Sequence, residues 1–167
     1  MYELSVFLHI LSAMGWVGGM LFLALVVVPV GRRLPPGERA ALLHAVGQRF
    51  RAVGWTFVTI LVITGIINVS YRGVAWGSFF SAEFYATTFG RLLTLKLLVV
   101  AAMVALTALH DFVVGPATTR ALARECPAAA PDLGRLRRRG AWLARTSLLL
   151  ALVIVALAVM LVRGLPW

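Results

Sequence analysis

The chain has 167 residues, 61% of them hydrophobic, and a mean hydropathy of +0.93. This is too apolar for a water-soluble domain of that length and places the chain among integral membrane proteins. The net charge of +10 would suggest a nucleic-acid partner in a soluble protein, but here the basic residues crowd into two loops. Topology and anionic lipid headgroups account for such clusters, so no nucleic acid is expected.

Four apolar runs are long enough to cross a bilayer: Leu4–Val30, Val53–Tyr71, Arg91–Val114 and Trp142–Val162. The expectation is an all-α fold, a single membrane domain over residues 1–167 built as a four-helix bundle. The first run does not read as a cleaved signal peptide. It lacks a basic n-region, carries Glu3 and is too long for an h-region.

On the first run, Ser5, Ser12, Trp16, Gly19 and Met20 project within about 80° of His9. Gly15, Gly18 and Gly19 remove side-chain volume from mid-span. Either they let two helices pack closely, or they make room for a flat cofactor with Trp16 as a wall. Pro35-Pro36-Gly37-Glu38 reads as a turn and a helix start, and Glu38–Arg51 as a basic helical extension of the second span. His44 lies on that extension and is expected to be solvated. The aromatics Trp76, Phe79, Phe80, Phe84 and Tyr85 in loop Arg72–Phe89 suit a membrane interface, where a short helix could lie on the surface.

On the third run, Met103 sits about 20° and His110 about 40° from Lys96 at helical spacing. A cation and an imidazole inside a span normally face protein rather than lipid. Lys96 also lies shallow enough for its stem to snorkel, and His110 could be an interfacial histidine bonded to a loop. Beyond this run, the Pro- and Ala-rich stretch Cys126–Gly134 reads as a flexible linker. The lone Cys126 has no intrachain disulfide partner.

Arginines sort the loops. Arg32, Arg33, Arg39, Arg49 and Arg51 lie in the first, and Arg120, Arg124, Arg135, Arg137, Arg138, Arg139 and Arg145 in the third. The positive-inside rule places both in the cytoplasm and both termini outside. His9 and Lys96 then share an outer layer, with Thr64 or Asn68 and Met160 brought to it by the second and fourth spans. His110 lies about 21 Å deeper than Lys96. There it and Asp111 could meet Thr56, Arg145, Thr146 or Ser147. Neighbours in sequence such as His110 and Asp111 do not ordinarily face each other on a helix. His9 and His110 therefore imply two sites, or one site and one bystander.

The run Leu8-His9-Ile10-Leu11, followed by Gly15-Trp16-Val17-Gly18-Gly19-Met20-Leu21-Phe22, resembles the first span of CopD-like membrane proteins and of the related HemJ-type protoporphyrinogen oxidases. Phe89-Gly90-Arg91-Leu92-Leu93-Thr94-Leu95-Lys96-Leu97 with the later Leu109-His110-Asp111-Phe112 is similar to that superfamily's second motif, and Arg163-Gly164-Leu165-Pro166 to its ending. The HemJ-type likeness implies haem b held through His9, with Lys96 as the functional lysine and a porphyrinogen or quinone as redox partner. The CopD-type likeness implies copper uptake or resistance. The chain departs from the HemJ pattern at Val26-Val27-Val28-Pro29, where a basic residue and a second histidine usually stand. It departs from long CopD proteins in having four spans and no Met/His-rich outer segment.

Haem would take His9 as axial ligand, Met160 as a second, and Lys96 as a propionate partner, with Trp16 and Gly19 beside the ring. Copper(I) prefers thioether and other soft ligands, and His9, Met103 and His110 could form a sparse ladder for it. The sequence reading is thus a haem-b membrane protein with a redox role, an oxidoreductase of the protoporphyrinogen oxidase type if it is an enzyme. The alternatives are a copper transport or resistance protein and a non-catalytic assembly subunit. It lies in the cell's inner membrane, with lipid and a second copy as further candidate partners.

Overall fold

A backbone in hydrocarbon has no water to bond, so each apolar run closes its own hydrogen bonds as a helix. The computed structural model of the protein describes residues 1–115, 117 and 130–163. Among the described residues there is no strand. Four helices are long and apolar enough to span: Tyr2–Gly31, Gly37–Tyr71, Thr88–Val114 and Gly134–Arg163. Each exceeds the roughly 20 residues that a bilayer core requires. The all-α class and the four spans are as expected, but three of the spans extend well past their apolar cores.

Those extensions have local causes. The second span begins at Pro36, since proline is tolerated in a first turn, and carries the basic extension unbroken to Tyr71. Thr87 caps the third, its hydroxyl accepting from the Gly90 N–H at 2.9 Å. The fourth helix starts at Ala130, so residues 130–134, expected as linker, are helical. Alanine favours helix and Pro131 falls within the first turn, where its missing N–H costs nothing. Cys126 and the chain end at Gly164–Trp167 lie outside the described residues. In the outer loop a 3₁₀ turn (Trp76–Phe80) precedes a short helix (Ala82–Ala86). Trp76 and Phe80 are 69% and 92% exposed, as interfacial aromatics would be.

Two compact units make up the chain, Met1–Phe80 and the part from Ser81 onward. In the first unit, spans one and two run antiparallel in a register readable from end to end. The rings of Tyr2 and Tyr71 stand 5.3 Å apart, and His9 meets Thr64. Gly15 lies against Phe57, Gly19 against Phe50, and Gly31 against Arg39 and Leu42. In the second unit the third and fourth spans pack together, with Leu93, Met103, Ala151 and Leu157 buried.

The first and third spans each contain a π-helical stretch, Leu23–Val27 and Leu109–Val114. Their closing bonds reach back five residues, from the Val28 N–H to Leu23 O and from the Gly115 N–H to His110 O. In the sequence each stretch ends two residues before a proline, Pro29 and Pro116. A proline ring clashes with the carbonyl four residues earlier in a regular helix. A widened turn ahead of Pro29 moves that carbonyl aside.

Gly90 is the tightest glycine. A Cβ there would strike the Phe84 carbonyl and lie 2.8 Å from Phe84 C and 2.9 Å from Thr87 Oγ1. Backbone cannot swing away as a side chain can. Gly90→Ala is expected to destabilise the protein by about 1–3 kcal/mol, read as a lower unfolding temperature in detergent. Gly18→Ala, where a Cβ meets nothing within 4 Å, should hold or raise that temperature.

Candidate functional site

In the first unit, His9 Nδ1 lies 2.8 Å from Thr64 Oγ1. Thr64 is buried, and its hydroxyl donates to the Ile60 carbonyl at 2.6 Å. A hydroxyl has one proton, so Thr64 must accept from the imidazole. That fixes His9 as the Nδ1–H tautomer and puts the ring lone pair on Nε2, the form suited to a metal. Ser5, also buried, donates to the Thr64 carbonyl at 3.4 Å. A Cβ on Gly65 would stand 3.5 Å from His9 Cε1, so larger side chains there would press on the ring. Of the two residues expected at the His9 layer, Thr64 is therefore the partner. The Asn68 side-chain oxygen is buried without a hydrogen bond.

The small-residue strip next to His9 has a different use. A Cβ on Gly15 would lie 2.6 Å from the Phe57 ring, and one on Gly19 would lie 2.5 Å from Phe50. Trp16 is 5% exposed, its Nε1 3.5 Å from where a Gly54 Cβ would sit. Close packing is seen at Gly15 and Gly19, while a Cβ on Gly18 would meet nothing within 4 Å. Rings from the second span fill the space beside Gly15 and Gly19 that a flat cofactor would need, and Trp16 is a packed core residue. A groove of about 230 Å³ does border Gly19, lined also by Phe22, Leu23, Val46, Arg49, Phe50 and Val53. That is smaller than the usual 300–1,000 Å³ of a small-molecule site.

In the second unit, His110 Nδ1 lies 3.0 Å from Asp111 Oδ1. The carboxylate can only accept, so Nδ1 carries the proton and Nε2 again the lone pair. Regular helix spacing speaks against this pairing of neighbours. Both residues lie in the π stretch, whose turn departs from that spacing. His110 Nε2 faces the fourth span at Gly140, 3.9 Å from the position of a Cβ there. Gly140 was not anticipated. A glycine between Arg139 and Trp142 near the start of an arginine-rich helix was the available signal.

Met103 is buried on the same side of the third span at 2% exposure. Lys96 is half-buried, and Met160 is exposed at 37%. His44 is exposed and pairs with Gln48 Nε2 at 3.0 Å, as its solvated place suggested. Among the described residues no three His, Cys, Asp or Glu side chains converge on a point that could hold a metal.

A family model described as copper resistance protein D matches residues 44–161. The match takes in Lys96, Met103, His110, Asp111 and Met160 and leaves His9 outside. An uncharacterized protein of Aquifex aeolicus (strain VF5) is 46% identical over 70 residues, covering 41% of this chain. The aligned part is 48% of that relative, so the chain spans about half the length of the curated relative it matches. No solved structure matches the chain.

The His9 tautomer is open to measurement. Thr64→Val keeps the shape and removes the acceptor, at a cost of about 1 kcal/mol. Nitrogen NMR of labelled His9 should show the Nδ1–H signature in the protein and in Thr64→Ser, and its loss in Thr64→Val. Retention in Thr64→Val would mean that another acceptor holds the ring.

Proposed function

The chain belongs to the copper resistance protein D family, and from that premise we propose that it handles copper ions within the membrane. It is a multi-pass membrane protein with four spans. The single observation that carries the reading is the His110–Asp111 pair inside the matched region. A carboxylate that orients an imidazole through Nδ1 is the usual outer support of a histidine metal ligand. Copper(I) also accepts thioether sulfur, which Met103 supplies further along the third span. His9, held by Thr64, is the corresponding ligand of the first unit. Copper is cargo in this reading, met by one imidazole at a time. Low ligand number at each step favours release over storage.

The haem b reading, with a porphyrinogen or quinone as partner, drew on the depth of His9, the small-residue strip beside it and the HemJ-type likeness, whereas the family match is to copper resistance protein D. Phe57 and Phe50 take the volume next to Gly15 and Gly19. Lys96, Met160, Trp16 and Gly19 accordingly have no assigned part in copper handling. The proposed orientation follows the arginines, with the loops around Arg39 and Arg137 in the cytoplasm and Trp76 outside, in the cell's inner membrane.

Purified protein in nanodiscs should compete with a chromogenic chelator for copper(I). His110→Ala should lose that copper, and Asp111→Asn should weaken it by about ten- to a hundred-fold. A protein that binds no copper, yet shows a Soret band dependent on His9 when supplied with haem, would overturn the reading in favour of haem.

Sidedness has its own check. Cysteines placed at Arg39 and Trp76 should react with an impermeant thiol reagent from opposite faces of the membrane, Trp76 from outside. Labelling of both from one face would remove the orientation.

A further inference from the structure

Hydroxyls on the second span turn back to their own helix. Thr56, Thr59, Thr64 and Ser70 each donate to the carbonyl four residues earlier, at 2.6–3.1 Å. Such back-bonding is the ordinary way for a threonine or serine to satisfy its proton in a membrane helix. In the second unit Thr94, Thr107 and Ser147 depart from this pattern. Their hydroxyl oxygens are buried and make no hydrogen bond. Ser147 is only 5% exposed.

Helical register places the Thr107 and Ser147 hydroxyls at neighbouring levels of facing spans. Gly140 stands opposite His110 and Val114, 3.9 Å from His110 Nε2 and 3.6 Å from Val114 Cγ1 by its missing Cβ. Consecutive spans joined by one loop run antiparallel. Ser147 is seven residues beyond Gly140, about 10.5 Å along the axis and about 20° from it around the helix. It therefore shares the face that Gly140 turns to the third span, and it arrives at the level between Met103 and Thr107. Thr107 lies one turn before His110, on the same side as Met103. Small side chains line the opposing face at Gly140, Ser147 and Ala151, and Ala151 and Met103 are each 2% exposed.

We propose that Thr107 and Ser147 hold an internal water between the third and fourth spans, about one turn deeper in the span than the His110–Asp111 pair. Two hydroxyls supply the donors and acceptors that a buried water requires, and the Met103 sulfur is a weak further acceptor. Hydroxyl oxygens are hard ligands, suited to water. The water gives the His110 end of the unit a polar station inside an otherwise apolar layer. The site does not rest on the copper reading, and its test contains no copper.

The test is X-ray radiolysis of the purified full chain in nanodiscs, followed by mass spectrometry of its methionines. Hydroxyl radicals born from a bound water attack what lies beside it. Met103 should be oxidised despite its burial, with the 67% exposed Met14 as a reference in the same sample. Ser147→Ala and Thr107→Val should each cut Met103 oxidation severalfold and lower the unfolding temperature. The double variant should lose little more than either single, because both hydroxyls serve one water. An unoxidised Met103 in the unaltered protein overturns the proposal. So does oxidation that neither substitution changes, or a rise in unfolding temperature in both variants, the sign expected when an unsatisfied buried hydroxyl is removed.

Discussion

Everything in this protein answers to the cost of leaving a polar group unpaired in hydrocarbon, several kcal/mol for each such group. Backbones meet it by closing into helices. On the second span the side-chain hydroxyls meet it by bonding back to their own turns. The chemistry of His9 follows from the same demand. Because Thr64 has committed its proton to Ile60, the bond between Thr64 and the imidazole has a direction, and that direction sets which ring nitrogen keeps its lone pair. Asp111 sets the same polarity for His110 by a different route, since a carboxylate has no proton to give.

Packing then does what polar bonds cannot do in so apolar a chain. Lipid tails are as apolar as leucine, so helix association depends on close fit. The first unit obtains that fit by setting phenylalanine rings against glycines, Phe57 on Gly15 and Phe50 on Gly19, with Trp16 returned against Gly54. These three pairs are spread over both helices and step along them in opposite directions, so a slip of one helix past the other would break all of them together. His9 and Thr64 are aligned by the same register. Large apolar side chains such as Phe7, Met14, Leu98 and Val162 stay exposed on the helices, as residues covered by lipid would.

The spans were legible because hydropathy over 20 residues is a strong signal, and the helical extension through Glu38–Arg51 was legible from its turn residues. The starts at Thr88 and Ala130 were not, because each lies in polar or mixed sequence where a cap or a tolerated proline decides the boundary. His9, His110 and Met103 stood out as polar or soft groups in apolar runs. What surrounds them did not. The glycines near Trp16 allowed both a cofactor cleft and tight packing. Only the pairing register, which joins residues more than thirty apart, sends Phe50 and Phe57 into that space. The His110–Asp111 contact ran against regular helix spacing and lies in a widened turn that no periodicity announces. Thr107 drew no notice in the sequence because an intrahelical hydroxyl bond is the default expectation for threonine.

Those widened turns also bear on how the chain tolerates changes in length. A π stretch holds one residue more than the regular turn it replaces. Deleting a residue from an ordinary helix rotates everything beyond it by about 100° and turns its buried face toward lipid. Within Leu23–Val27 or Leu109–Val114 the surplus residue is the one removed, and the faces on either side keep their headings. The first and third spans thus each carry a place where chain can be lost without disturbing the pairing around His9 or the burial of Met103. Pro29, which follows the first of these stretches, is the reason that its spare residue is kept.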